Sequence, residues 1–238
     1  ERLLTTLGPA IDDIAASLAA LDELRDRPAG TIRLTTSEYA AHSLIWPALE
    51  PLLPDYPELK VELSLDNGFV DIVAARFDAG VRLGEAVAQD MISVRIGPDL
   101  RMAAVAAPAY FAKHPPPQTP FDLEQHDCIN IRQQSAGGLY PWEFERDGRD
   151  LRMRVTGQLT FNGSGLIVKA AEAGFGIAFV LEEIARPSLE SGALVRALAD
   201  WCPPFPGFHL YYSSRRQPSA AFTVLLEALR WRGQPAFG

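Results

Sequence analysis

The chain has 238 residues, 47% of them hydrophobic, with 22 Lys+Arg against 30 Asp+Glu and two cysteines. That size suits one large domain or two small ones, and near-average apolar and charged fractions exclude disorder, a collagen-like repeat and a disulfide scaffold. No apolar run approaches the ~18 residues of a membrane-spanning helix, and the net charge of −8 argues against this chain itself gripping nucleic acid. The first residue is Glu1 and not Met, which reads as a fragment.

Residues 1–27 stand apart. Leu4, Leu7, Ile11, Ile14, Leu18 and Leu21 follow one another at spacings of 3, 4, 3, 4 and 3, the a/d seam of a coiled coil. Gly8-Pro9 interrupts the first heptad, so the continuous helix is expected to begin at Pro9. A helix-mediated dimer contact is the preferred reading, and a helix packed on its own domain is the other. Pro28-Ala29-Gly30 ends the segment as a hinge.

From Thr31 strands and helices alternate. Residues 31–36 (TIRLTT) read as a strand, followed by a helix from Ser37-Glu38 to about Leu53 that contains Pro47 and Pro51. A second strand at 60–65, a short helix at 70–76 and strands at 78–83, 92–96 and 102–107 continue the order, which argues for a parallel sheet with right-handed crossovers. The Pro-rich stretch 108–127 marks a lobe boundary. Beyond it, strands are expected at 128–131 and 158–161, with a hairpin of 142–146 and 151–155 around Asp147-Gly148. A helix at 166–173 and a strand at 176–180 follow. Pro203, Pro204 and Pro206 mark a second crossing before a strand at 208–212 and a helix from Ser219 to Arg230. Two α/β lobes joined by two crossings place a cleft between them. The expected divisions are 1–29, then 30–107 with 207–238, and 108–206.

Catalytic signals are weak. The chain has no GxSxG, HExxH, Walker loop or GxGxxG opening a helix, and its four histidines share no metal-ligand spacing. No metal, no cofactor and no enzyme activity is expected. Cys128 and Cys202 form no CxxC and read as buried thiols. Binding signals are better. Thr36, Ser37 and Glu38 sit where the first strand hands over to a helix, and Asn162, Gly163 and Ser164 repeat that arrangement in the second lobe. An anion at such a helix start gains about 0.3–1 kcal/mol. Arg82 lies at the end of the third strand, where open α/β sheets bind ligands. Arg132, Gln133 and Ser135 belong to a polar loop after a strand, and Trp142 is a candidate wall of the cleft.

The segments GTIRLTTSEYAA, LLPDYPELKVEL, VDIVAARFDAGVRLGE, RIGPDLRMAAVAAPAYFAKH, HDCIN, WEFERDGR and WCPPFPGFHLYYSSRRQPS together resemble the LysR-type transcriptional regulators, over essentially the whole chain. The resemblance implies a two-lobed effector domain with a type 2 periplasmic-binding-protein-like α/β fold, preceded by a linker helix at 1–29. It implies that the winged helix-turn-helix preceding that helix is absent. It also implies a small-molecule effector held between the lobes, at Thr36-Ser37-Glu38, Arg82, the loop after HDCIN and the 162–164 turn. A cytoplasmic homodimer or tetramer that contacts DNA only through the missing N-terminal domain, and no membrane, completes the expectation. Glu38 departs from the Ser/Thr-rich turn of many members and argues against a purely anionic effector. A free-standing periplasmic-type solute-binding protein is the alternative reading. A small-molecule enzyme, for which Glu38 alone offers an acid or base, comes third.

Overall fold

Alternating apolar and polar residues give β1 (Gly30–Thr36) one face for a core and one for polar partners. It pairs in parallel with β2 (Leu59–Leu65) and β3 (Ala79–Leu83). The computed structural model describes residues 28–66, 68, 70–84, 91–132, 138–214 and 218–233. The expected seam at 1–27 lies outside the described residues.

The described residues form two units, each with its own sheet. The first comprises the chain up to Asp66, Val70–Gly97 and Phe208–Gly233, and the second essentially Pro98–Gly207. In the first unit the sheet order is β2-β1-β3-β12-β4, with β4 at Met91–Arg95 and β12 at Phe208–Ser213. The parallel arrangement read from the sequence holds for β1, β2 and β3, but β12 runs antiparallel to both β3 and β4. The register puts Ile32, Leu34, Val81, Leu210 and Tyr212 on one face. There the helical run 38–52 (α1) and the C-terminal helix α5 (Ala220–Leu229) bury Ile45, Leu49, Phe222 and Leu225. Tyr212 packs edge-on to Phe222, with ring centroids 5.1 Å apart.

Helix α1 consists of Glu38–Ala40, a π-helical turn Ala41–Ile45 and Trp46–Leu52. Both prolines stay inside it. The π turn contains Ser43, four residues before Pro47, whose ring cannot share an ordinary α-helical register with the carbonyl there. The helix expected at 70–76 does not form. The Asp71 carboxylate caps a first turn by accepting the N–H groups of Val73 and Ala74 (2.9 and 3.0 Å), but Arg76 at φ 58° and the Phe77 N–H bonded to Ile72 O at 2.8 Å close that turn before a helix can propagate.

The second unit has sheet order β11-β5-β10-β6-β9 plus the hairpin β7–β8. Its strands are β5 (Met102–Ala106), β6 (Cys128–Ile131), β7 (Trp142–Arg146), β8 (Arg149–Met153), β9 (Thr160–Phe161), β10 (Ile177–Leu181) and β11 (Val195–Ala197). The near-continuous apolar runs of β5 and β10 match a sheet buried on both faces. Its helices are α2 (Pro108–Phe111), α3 (Ser164–Glu172) and α4 (Glu182–Glu190). Ile167 and Ala171 of α3 and Ala185 of α4 pack with Val105, Ile129 and Ala178 on one side; Trp142 and Phe144 of the hairpin pack with Ala104, Cys128 and Phe179 on the other. Asp147 and Gly148, both at positive φ (54° and 72°), make the tight turn their sequence signals.

The expected boundary after Ala107 moves to Gly97–Pro98, because β5 hydrogen-bonds with β10 and β11 and so belongs to the second sheet. A strand of small apolar residues carries no mark of which sheet it joins. The return crossing closes at Gly207–Phe208, as its prolines suggest. The two crossing segments lie side by side. Leu100 and Phe205 exchange backbone hydrogen bonds of 3.0 and 2.8 Å, and a Cβ at Gly207 would stand 1.8 Å from the Pro98 carbonyl oxygen. Only glycine allows that approach.

Candidate functional site

Two strand-to-helix junctions carry the candidate residues, one in each unit. In the first, β1 ends at Thr36 and Ser37 caps α1, its hydroxyl accepting the Ala40 N–H at 3.3 Å. Thr36 is buried, Ser37 half-buried and Glu38 exposed. Because Thr36 pairs with Val81, Arg82 is carried to the same edge of the sheet. Arg82 is 6% exposed; Nη1 donates to its own neighbour's carbonyl, Val81 O, at 2.7 Å, and Nη2 donates to Thr35 Oγ1 at 3.1 Å. Burial holds its pKa below the ordinary arginine value, opposed by Tyr211 and Asp66. Removing Arg82 therefore disturbs the packing of this unit as well as any ligand contact.

The sequence placed Thr35 only in the hydroxyl-bearing run at the end of β1, and passed over Tyr211 and His209, which also lie around Arg82. Thr35 is fully buried and fixes the guanidinium. His209 is the register partner of Arg82, and Tyr211 that of Gly80. The signal was available in the glycines. A Cβ at Gly80 would stand 2.3 Å from the Tyr211 ring, and one at Gly84 2.6 Å from the His209 ring, so both glycines make room for large polar side chains on β12.

In the second unit β6 and β9 run parallel, with Ile131 beside Phe161, and the Arg132 N–H donates to Phe161 O at 2.7 Å. Asn162, Gly163 and Ser164 follow directly, so Arg132 and this turn share one strand edge. Gly163 is the N-cap of α3 and supplies no side-chain cap. Here the two junctions differ: the first helix start is closed by a serine hydroxyl, whereas Ser164 already lies within α3. Gln133 and Ser135 lie outside the described residues. Trp142 is corrected from a cleft wall to a core residue. It is 0% exposed and stacks on Phe179 with ring centroids 5.1 Å apart.

Other features settle into structural roles. Arg230 and Arg232 both bond Glu227, and Arg152 bonds Glu143 at 3.1 Å, so these arginines form exposed ion pairs. Burial pushes the Cys128 thiol up to about 12 and the Cys202 thiol up to about 11. Among the described residues no group of three His, Cys, Asp or Glu is placed to hold a metal, and no helix is long and apolar enough to cross a membrane. Two concavities of the second unit, about 340 and 330 Å³, are lined by neither Arg132 nor the 162–164 turn.

Comparison with known proteins agrees with this architecture. Residues 25–233 match the model of the LysR substrate binding domain. A putative transcriptional regulator of Pseudomonas aeruginosa is 55% identical over 231 residues, which cover 97% of this chain and 76% of that protein. The HTH-type transcriptional regulator PgrR of Escherichia coli is 40% identical over 233 residues, 98% of this chain and 78% of its own length. Among solved structures, the full-length Vibrio cholerae virulence activator AphB superposes with a TM-score of 0.71 at 21% identity, covering 96% of this chain and 77% of that one. CrgA, a LysR-type regulator from Neisseria meningitidis, gives 0.68 at 20% identity, covering 96% of this chain and 78% of its own. These two show the fold: the two-lobed, periplasmic-binding-protein-like arrangement of LysR-type regulatory domains. Both relatives are named as regulators of transcription. The chain belongs to the LysR family of transcriptional regulators and carries its substrate-binding domain.

Proposed function

We propose that this domain senses a small-molecule effector bearing a polar or anionic group, held between its two units. Thr36, Ser37, Glu38 and Arg82 are the contacts from the first unit; Arg132, Gln133, Ser135 and the turn Asn162-Gly163-Ser164 are those from the second. The observation that carries this reading is the repetition of one device. Each unit sets a helix start beside an arginine at the carboxyl edge of parallel strands. That is where open α/β sheets bind ligands, and first-turn N–H groups with a nearby guanidinium favour carboxylate or phosphate oxygens. The α3 start, without a side-chain cap, is the stronger of the two donor sets. Glu38 beside the other start favours an effector that also carries a donor group.

Effector binding shifts the population of unit arrangements, and the shift passes to a DNA-reading domain outside these residues through a dimer built on Leu4, Leu7, Ile11, Ile14, Leu18 and Leu21. Moving such an equilibrium from 1:99 to 99:1 takes about 5.5 kcal/mol of differential affinity. A cytoplasmic homodimer or tetramer is the corresponding state. The alternative of a free-standing solute-binding protein is disfavoured by relatives named as regulators over 97% of the chain.

The test is a thermal-shift screen of small carboxylates, aromatic acids and amino acids, followed by calorimetry on each compound that stabilises the chain. Arg132→Gln and Ser37→Ala are each expected to weaken such a compound at least about tenfold, the loss of one charge-assisted or capping contact. Wild-type affinity in both variants refutes the placement.

A further inference from the structure

The second unit holds a histidine–tyrosine cluster that lies outside the effector contacts proposed above. Tyr110 of α2 is 5% exposed, and His126, two residues before β6, is 9% exposed. The Tyr110 hydroxyl does three things at once. It accepts the Asp127 N–H at 3.0 Å, lies 3.2 Å from His126 Nδ1, and stands 3.5 Å from the Asp127 carbonyl oxygen. A phenol has one proton to give, and the nearer acceptor is the imidazole nitrogen. A Tyr110 hydrogen bond donated to Nδ1 leaves His126 neutral, with its own proton on Nε2. The exposed His114 ring stacks on Tyr110 with centroids 4.7 Å apart and lies 6.3 Å from the His126 ring.

We propose that Tyr110, His114 and His126 form a proton-operated latch on the start of β6. With His126 neutral, the Tyr110 hydroxyl ties the imidazole to the Asp127 backbone. Adding a proton at Nδ1 turns that nitrogen from acceptor to donor. Tyr110 must then accept from it and send its own proton to the Asp127 carbonyl, over a distance at the outer limit of a hydrogen bond. That carbonyl already accepts the Ile177 N–H at 2.8 Å, the link that carries β6 to β10. Charging His126 thus strains the joint between α2, β6 and β10.

The surroundings set the sign. Burial chiefly, and then His114, hold His126 below the ordinary histidine value, while Asp122 and Asp127 oppose them. Lys113, with His114 and Asp122, lines the 340 Å³ concavity through which solvent reaches His126. The N–H groups of Gln118 and Thr119, each at 2.9 Å, hold the Asp122 carboxylate ionised and below the usual carboxylate range, yet its pull on His126 is outweighed by burial and His114. Burial keeps the Tyr110 phenol protonated, its pKa above the ordinary tyrosine value. Since the folded form binds this proton less readily than the unfolded chain, the latch contributes stability above the ordinary histidine value of about 6.5, and that contribution is lost as pH falls through the folded midpoint. Nothing in this latch depends on where an effector binds.

Imidazole and amide NMR titration of the chain, with hydrogen exchange at each pH, tests it. In the wild type His126 is expected to titrate below the ordinary value. The Asp127 amide should shift with the same midpoint, and protection of the Asp127 and Ile177 amides should fall over the same range. His114→Gln leaves the fold intact and moves the His126 midpoint upward. Tyr110→Phe uncouples the Asp127 amide from that midpoint; should it fail to fold, His114→Gln and the wild-type titration decide alone. A His126 midpoint at or above the ordinary value, one unmoved by His114→Gln, or an Asp127 amide that stays flat through the transition overturns the proposal.

Discussion

Thr35→Val is the substitution that most directly probes the arginine at the heart of the first junction. Thr35 is 0% exposed and its hydroxyl accepts from Arg82 Nη2 at 3.1 Å, while Arg82 itself is 6% exposed. Valine keeps the shape and the β-branching, so neither a cavity nor a change of strand preference enters. What is lost is one hydrogen bond to a buried charge, worth about 1.5–3 kcal/mol when the partner is left short of an acceptor. For a chain of this size that corresponds to about 3–12 °C in melting temperature. The same substitution made with Arg82→Met already in place should cost less than about 0.5 kcal/mol, because no guanidinium remains to be served. Urea denaturation of the four chains gives the cycle directly. A Thr35→Val chain as stable as wild type, or one that costs as much beside methionine as beside arginine, refutes the idea that Thr35 anchors this charge.

Trp142→Ala separates core from ligand wall: complete burial against Phe179 predicts a loss of about 3–5 kcal/mol in denaturant stability. A stable variant with impaired effector binding would return Trp142 to the site. The two thiols, raised to about 12 and about 11, should be silent to a thiol reagent at neutral pH in the native chain and both react once it is unfolded. Rapid labelling of the folded chain contradicts that account.

Periodicity made most elements legible. The β-branched, alternating run before Thr36, the Asp147-Gly148 turn and the helix α5, whose buried Phe222, Leu225, Leu226 and Leu229 recur at three and four residues, each follow from local geometry and neighbour chemistry. The segment after Asp71 misled because its apolar residues have helical spacing and Asp71 caps a first turn, while Arg76 in the left-handed region ends that turn at once. Helix α4 was passed over because Pro187 sits within it, where proline ordinarily argues against a helix. In the candidate site, Ser37, Arg82, Arg132 and the 162–164 turn were recognisable from position alone, at the ends of strands. The relation of Thr35, His209 and Tyr211 to Arg82 was not, because it depends on pairing between β1, β3 and a strand more than 120 residues further on.

The order of strands and helices, the acidic surface charge and the two strand-to-helix junctions were determined by the sequence itself, since each arises from residues close together in the chain. Tertiary structure decided which sheet β5 joins, that Trp142 turns inward, and that Arg82 is buried against Thr35. It also decided that Tyr110 packs against both His114 and His126. Those outcomes depend on which distant surfaces meet, and a side chain's hydrogen-bond partner and burial are properties of that meeting.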